Sequence, residues 1–288
     1  MEVRAKKALG QHFLTDQSIA KRIVDTLSNG SLGSEATQGV SGGTPPVPLG
    51  AAAELRGLEV PKGPISRTQV LEIGPGMGVL TQYLLQRDDI DLKAVELDGE
   101  SVDYLLTHFP GMQGRLLQAD YLRLDMNRVF KGPYRIIGNF PYNISSQIFF
   151  KILDDKDRIP EVVCMIQKEV AERIAEKPGS KTYGILSVLL QAWYDIEYCF
   201  TVGPGAFAPP PKVQSAVIRL TRNGRTELGC DEKLFKQVVK TAFNQRRKTL
   251  RNALKPLLNE QRELPFMDLR AERLSVEDFI RLTQAIAE

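Results

Sequence analysis

The stretch Asn139-Phe140-Pro141-Tyr142-Asn143 sits directly behind the strand-like run YRIIGN at 134–139. An amide, two rings and an imino acid at the mouth of a strand suit one kind of substrate, a flat heterocycle bearing an exocyclic amine. Such an amine is a poor nucleophile because its lone pair is delocalised into the ring. The Asn139 side-chain oxygen and the Phe140 backbone carbonyl can accept its two protons and favour a pyramidal nitrogen with an exposed lone pair. Pro141 fixes the turn and has no competing N–H, and Tyr142 can stack on the base.

The electrophile is suggested by a second cluster. VLEIGPGMGVL places Gly74, Gly76 and Gly78 behind a strand and ahead of a helix, where backbone can approach a ligand closely. A tight strand-to-helix turn with no ligand explains those glycines equally well on their own. About twenty residues on, AVELD ends a second strand at Glu96, a position suited to accepting both hydroxyls of a ribose. QAD ends a third strand at Asp120, which can take an adenine amine. Each carboxylate alone is an ordinary solvated strand end, but together with the loop they outline an adenosine site. A dinucleotide pyrophosphate calls for G-x-G-x-x-G, whereas this loop runs G-P-G-M-G. A cofactor with an amino-acid tail, S-adenosylmethionine, fits better than NAD, and the expected reaction is methyl transfer to a base amine without a metal.

A base removed from its stack needs a second flat surface. GAFAPPPKV offers Phe207 on a proline-stiffened loop, with routine core packing as the competing reading. Between 233 and 255 the chain carries Lys233, Lys236, Lys240, Arg246, Arg247, Lys248, Arg251 and Lys255 and no acid. Charge runs are usually solvated helix faces. Beside a base-modifying site this one is expected to neutralise RNA phosphates, principally through Arg246, Arg247, Lys248 and Arg251.

The elements that must position these groups follow from periodicity. Strand-like runs at 69–73, 92–97, 114–119, 134–139, 161–167, 196–202 and 215–220 alternate with helical patterns near 79–87, 100–109, 145–154, 168–176 and 184–194. That alternation predicts an α/β domain, a doubly wound Rossmann-like parallel sheet ending in two strands joined by a short connection, with its ligands at the carboxyl ends of the strands. Beyond 230 only helices are expected, the last opened by the capping box Ser275-x-x-Asp278. The organisation expected is an N-terminal segment and helix at 1–27, a mobile insertion at 28–69, the methyltransferase domain at 70–222 and a small all-α RNA-binding domain at 223–288. The insertion holds eight Gly, five Pro and no aromatic residue, with a short helix expected near 51–55.

The totals narrow the class further. At 288 residues, 42% apolar and 25% charged, the composition is that of a globular protein with no apolar run long enough for a membrane span. Three dispersed cysteines and two histidines argue against a disulfide framework, a zinc site and a histidine metal centre. The N-terminus lacks the apolar region of a secretory signal, and a cytoplasmic monomer is expected.

Together these stretches resemble the ribosomal RNA adenine dimethyltransferases, specifically the bacterial small-subunit type. The resemblance is carried by KKALGQHFLTD, VLEIGPGMGVLT, AVELD, QAD, GNFPYNIS, FAPPPKVQSAVI and AFNQRRKTLRNALK, and spans the chain outside 28–69. It implies a class I SAM-dependent methyltransferase domain in which His12 and Leu14 line the cofactor site with Gly74, Glu96, Asp120 and Asn139. His12 stands where many members have Asn, and Phe140 where Leu is commoner, a change that leaves the backbone carbonyl in place. The implied reaction is dimethylation of two adjacent adenines in a hairpin loop near the 3′ end of 16S rRNA. A large-subunit RNA or DNA adenine methyltransferase, and a ribosome-assembly protein for which methylation is secondary, are the alternatives.

Overall fold

The computed structural model describes residues 6, 10–29, 67–258 and 263–288. The expected mobility at 28–69 and the helix near 51–55 lie, apart from 28–29 and 67–69, outside the described residues.

In chain order the elements are β1 (Phe13–Leu14), α1 (Gln17–Thr26), β2 (Thr68–Ile73), α2 (Thr81–Leu84), β3 (Ile90–Glu96), α3 (Gly99–His108), β4 (Leu116–Gln118) and β5 (Arg135–Asn139). They continue with α4 (Ser145–Asp154), β6 (Glu161–Gln167), α5 (Lys168–Ala175), α6 (Ile185–Gln191), β7 (Tyr194–Val202), β8 (Phe207–Ala208) and β9 (Ser215–Arg222). The C-terminal part holds α7 (Glu232–Asn244), α8 (Leu250–Ala253) and α9 (Val276–Ala287). The main sheet has seven strands in the order β4-β3-β2-β5-β6-β9-β7. From β4 to β6 neighbouring strands are parallel, and the central pair β5 and β6 is buried along nearly its whole length, as expected of strands covered on both faces.

The doubly wound sheet is as expected, and the two strands joined by a short connection close its far edge. β9 inserts antiparallel between β6 and β7, so the sheet is mixed. Local periodicity identifies a strand but not its neighbour, and the connection from β7 back to β9 runs through 203–214. The helix expected at 79–87 shortens to α2, because turn geometry persists through the glycine loop to Leu80.

The expected basic helices are interrupted as well. α7 stops at Asn244, and the first amides of α8 are taken by a crossing segment, Leu250 by the Leu269 carbonyl and Arg251 by that of Met267. One hydrophobic cluster runs from the sheet through α6 into α7 and α9, including Ile218, Val188, Phe235, Val238 and Phe279. Ser275 and Asp278 form the reciprocal cap expected of them.

At the end of the sheet away from the glycine loop, the chain leaving α1 is tied down by charge. Ser28 donates to the Glu161 carboxylate, and its carbonyl accepts from Arg87 at 2.9 Å and Arg135 at 2.6 Å. Glu161 and Arg135 are both buried and pair at 3.2 Å. This cluster fixes α1, and with it the preceding strand β1, against the sheet.

Candidate active site

The carboxyl ends of β2, β3 and β5 open into a cavity of about 230 Å³. It is lined by the glycine loop, Glu72, Glu96, Leu97, Asp120, Tyr121, the 139–144 turn, Ile148 of α4 and the N-terminal segment from Gly10 to Leu14. Strand order explains the convergence. β5 pairs with β2, so Asn139 emerges beside the glycine loop although 65 residues separate it from Gly74 in sequence.

The loop is built for close approach. Gly74 has φ +65°, and a Cβ placed on it would meet no atom within 4 Å, which leaves open backbone facing the cavity. Gly76 donates its N–H to Glu96 Oε2 at 3.0 Å, while Glu96 Oε1 accepts from Asp98 at 2.9 Å. One buried carboxylate thus fixes the loop and retains lone pairs for a ligand. Burial pushes its pKa up, against the hydrogen bonds from the Asp98, Gly76 and Leu97 amides. Asp120 accepts from the Leu122 amide through Oδ1 at 2.9 Å, and its Oδ2 lies 3.5 Å from the largely exposed Arg123.

Asn139 has an orientation that chemistry decides. Its amide group lies 3.1 Å from the His12 carbonyl, which only accepts, so Nδ2 is the atom that faces it. That leaves Oδ1 as the acceptor at the cavity. The Phe140 amide is satisfied by the Met165 carbonyl at 3.0 Å and its ring is fully buried against Phe149. Tyr142 is held by a hydrogen bond between its hydroxyl and that of Ser215.

The structure places two sequence-identified groups differently from expectation. Phe207 is only 4% exposed and is absent from the cavity lining, because pairing of β8 with β1 sets it opposite Leu14 in the core. The flat group beside Tyr142 is instead His12, whose ring stacks on it with centroids 5.5 Å apart while Nδ1 contacts the Pro209 carbonyl at 2.9 Å. Leu14 is likewise buried, yet it reaches the cavity wall. Arg246 turns back to the carbonyls of Lys181 and Tyr183, and Arg251 pairs with Asp268 at 3.0 Å. Arg247 and Lys248 are exposed.

Sequence reasoning missed Glu72, whose position among Val70, Leu71 and Ile73 of a strand is the one signal that could have found it. It is fully buried, accepts from the Thr81 hydroxyl at 2.7 Å and lies near Glu96. Burial, helped by the Glu96 charge, pushes its pKa up to about 8 despite the Thr81 bond. The folded chain therefore holds this proton up to about pH 8, whereas the unfolded chain releases it near the ordinary 4.5. Across that window the folded state binds more protons, so stability falls as pH rises, by at most roughly 5 kcal/mol. Chemical denaturation at pH 5 and pH 8 should show this fall, and Glu72→Gln, which keeps an acceptor for Thr81, should flatten it.

Comparison with known proteins agrees with this architecture. The chain matches the model of a family described as ribosomal RNA adenine dimethylase over residues 2–288. A Parabacteroides distasonis protein named ribosomal RNA small subunit methyltransferase A is 56% identical over 284 residues, 98% of this chain and 93% of that protein. Among solved structures, a dimethyladenosine transferase from Plasmodium falciparum superposes with a TM-score of 0.63 at 23% identity, covering 75% of this chain and 89% of its own. The 23S rRNA methyltransferase ErmE superposes at 0.62 with 21% identity, covering 96% and 100% respectively. The two structures share the fold.

Proposed function

Because the chain belongs to the ribosomal RNA adenine dimethylase family, we propose that it places two methyl groups on the N6 amine of each of two adjacent adenines near the 3′ end of 16S rRNA. It is an rRNA adenine dimethyltransferase of the small ribosomal subunit. The observation that carries the atomic reading is the Asn139 amide, whose Nδ2 is committed to the His12 carbonyl so that Oδ1 is the atom left to accept.

The cavity residues fit S-adenosylmethionine. The open Gly74 backbone suits an amino-acid tail, the Glu96 carboxylate a ribose, and Asp120 an adenine amine. When bound, that cofactor supplies an electrophilic methyl on sulfur. The chain's own task is to present the acceptor. Asn139 Oδ1 and the Phe140 carbonyl accept hydrogen bonds from the two amine N–H groups, and Tyr142, held by Ser215 and backed by His12, supports the face of the base. Positioning supplies most of the acceleration. Once the methylated nitrogen has released its surplus proton to water, the monomethylated amine retains one N–H, which either acceptor can hold during the second transfer.

RNA reaches this site across the basic surface at the C-terminal side of α7. Arg247 and Lys248 are the phosphate contacts, Arg251 joins them by exchanging Asp268 for phosphate, and Arg246 holds the turn. Replacing Arg247 or Lys248 by Ala should each reduce the slope of log affinity against log salt by about 1, while Arg246→Ala should lower the melting temperature instead. The exposed large apolar side chains among the described residues are few, Leu97, Leu106, Val213 and Leu269, with Leu97 on the cavity wall, and we take the acting species to be a monomer. Among the described residues no helix is long and apolar enough to cross a membrane. Transfer of labelled methyl to small subunits lacking these modifications, but not to fully modified ones, tests the function.

A further inference from the structure

The turn that carries Asp120 is joined by one side chain to the helix that follows the Asn139 motif. After Asp120 the backbone makes a 3-10 turn over Tyr121–Arg123, in which the Arg123 and Leu124 amides return to the Asp120 carbonyl at 3.0 Å. At its start the turn is held by Asp120 itself, through the Leu122 amide. It is also spanned by Lys151 of α4, whose ammonium donates to the carbonyls of Tyr121, its first residue, and Leu124, just past its last, and lies 4.8 Å from the centre of the Tyr121 ring. Burial pulls the Lys151 pKa down, while Asp120, Asp125, Asp155 and Asp154 act in the opposite direction.

α4 is also tied to the target side of the cavity. Ser145 donates to the Tyr142 carbonyl at 3.3 Å, and Ile148 lines the cavity itself. Lys151 therefore sits between two halves of the site. A cation that bridges the carbonyl of the turn's first residue and that of the residue after it clamps the turn, as basic groups do when they meet free carbonyls at helix ends. Without it the Asp120 carboxylate would depend on a single amide bond and on the exposed Arg123, a weak partner in water.

We propose that Lys151 is a positioning residue for cofactor recognition, holding the turn after Asp120 against α4 so that the Asp120 carboxylate meets the adenine amine. The inference rests on Asp120 being the adenine acceptor, as read above. A residue that merely stabilised the fold would weaken every ligand alike. One that aims an acceptor changes selectivity between ligands that differ only in that amine.

S-adenosylhomocysteine and S-inosylhomocysteine differ in this way, since the latter carries an oxo group in place of the amine. Calorimetric affinities for both should be measured on the full chain and on Asp120→Asn, Lys151→Met and Lys151→Arg. The wild type is expected to prefer the adenosyl compound, and Asp120→Asn to abolish that preference. Lys151→Met should reduce the preference by about 10-fold, and Lys151→Arg should restore most of it. Should Lys151→Met fail to fold, Lys151→Gln, which keeps one donor, should give an intermediate reduction. An Asp120→Asn variant that loses its preference beside a Lys151→Met (or, in its place, Lys151→Gln) variant that keeps it would overturn the proposal alone. An Asp120→Asn variant that keeps the preference would overturn the Asp120 reading and this inference with it.

Discussion

Replacing Asn139 with Ala should lower methyl transfer at saturating donor and RNA by about 10³-fold, the scale seen when one preorganised polar partner of a reacting group is removed. The loss falls on the transfer step because Oδ1 is needed when the amine rehybridises. Cofactor affinity should change by no more than a few fold. Asn139 does help secure the N-terminal segment through the His12 carbonyl, but that segment has other ties. Thr15 donates to the Ala206 carbonyl at 2.8 Å, His12 contacts Pro209, and β1 pairs with β8. Asn139→Asp should fare no better, since it sets a carboxylate against the His12 carbonyl. Single-turnover rates and calorimetric binding of S-adenosylhomocysteine separate the two effects. An Asn139→Ala enzyme with undiminished single-turnover rate would remove the amide from the chemistry.

Glu96→Ala should act on the other partner. Two effects add in this variant: the ribose loses its charged acceptor, and the Gly76 and Asp98 amides lose the carboxylate that fixes the loop. Charge-assisted hydrogen bonds of this kind contribute about 1.5–3 kcal/mol each, so S-adenosylhomocysteine binding should weaken about 100-fold. Turnover at saturating donor should recover most of the wild-type value, because Glu96 acts in binding and does not touch the reacting nitrogen. Glu96→Gln should fall between, since its amide N–H₂ must face one of two backbone N–H groups. Unaltered affinity in Glu96→Ala would place the ribose elsewhere.

These contrasting variants also mark what can be read from the chain alone. Apolar runs and glycine spacing located β2, β3, β5 and β6 to within a residue or two, because each of those signals is local. The convergence of Gly74, Glu96, Asp120 and Asn139 on one cavity follows from strand order at the carboxyl edge, and all four line it. What stayed hidden depended on distant partners. Whether Phe207 faces a base or the core is set by its pairing opposite Leu14, a contact across nearly 200 residues. Arg246 looks like any other member of a basic run until the carbonyls of Lys181 and Tyr183 claim it. β9 reads as a strand, yet nothing within 215–222 says that it lies antiparallel between β6 and β7. Lys151 reads as a surface charge on an amphipathic helix, and only the fold brings the 121–124 turn to it.

Which atoms receive the methyl groups decides whether Asn139 presents an adenine amine. Small subunits lacking these modifications should be incubated with the full chain and a labelled donor, and the modified nucleotides then mapped and hydrolysed to nucleosides. N6,N6-dimethyladenosine at two neighbouring positions near the 3′ end of 16S rRNA, present with wild type and missing with Asn139→Ala, is the expected result. Label on a ring nitrogen, on another base, or at the same positions with the Asn139→Ala protein would contradict it.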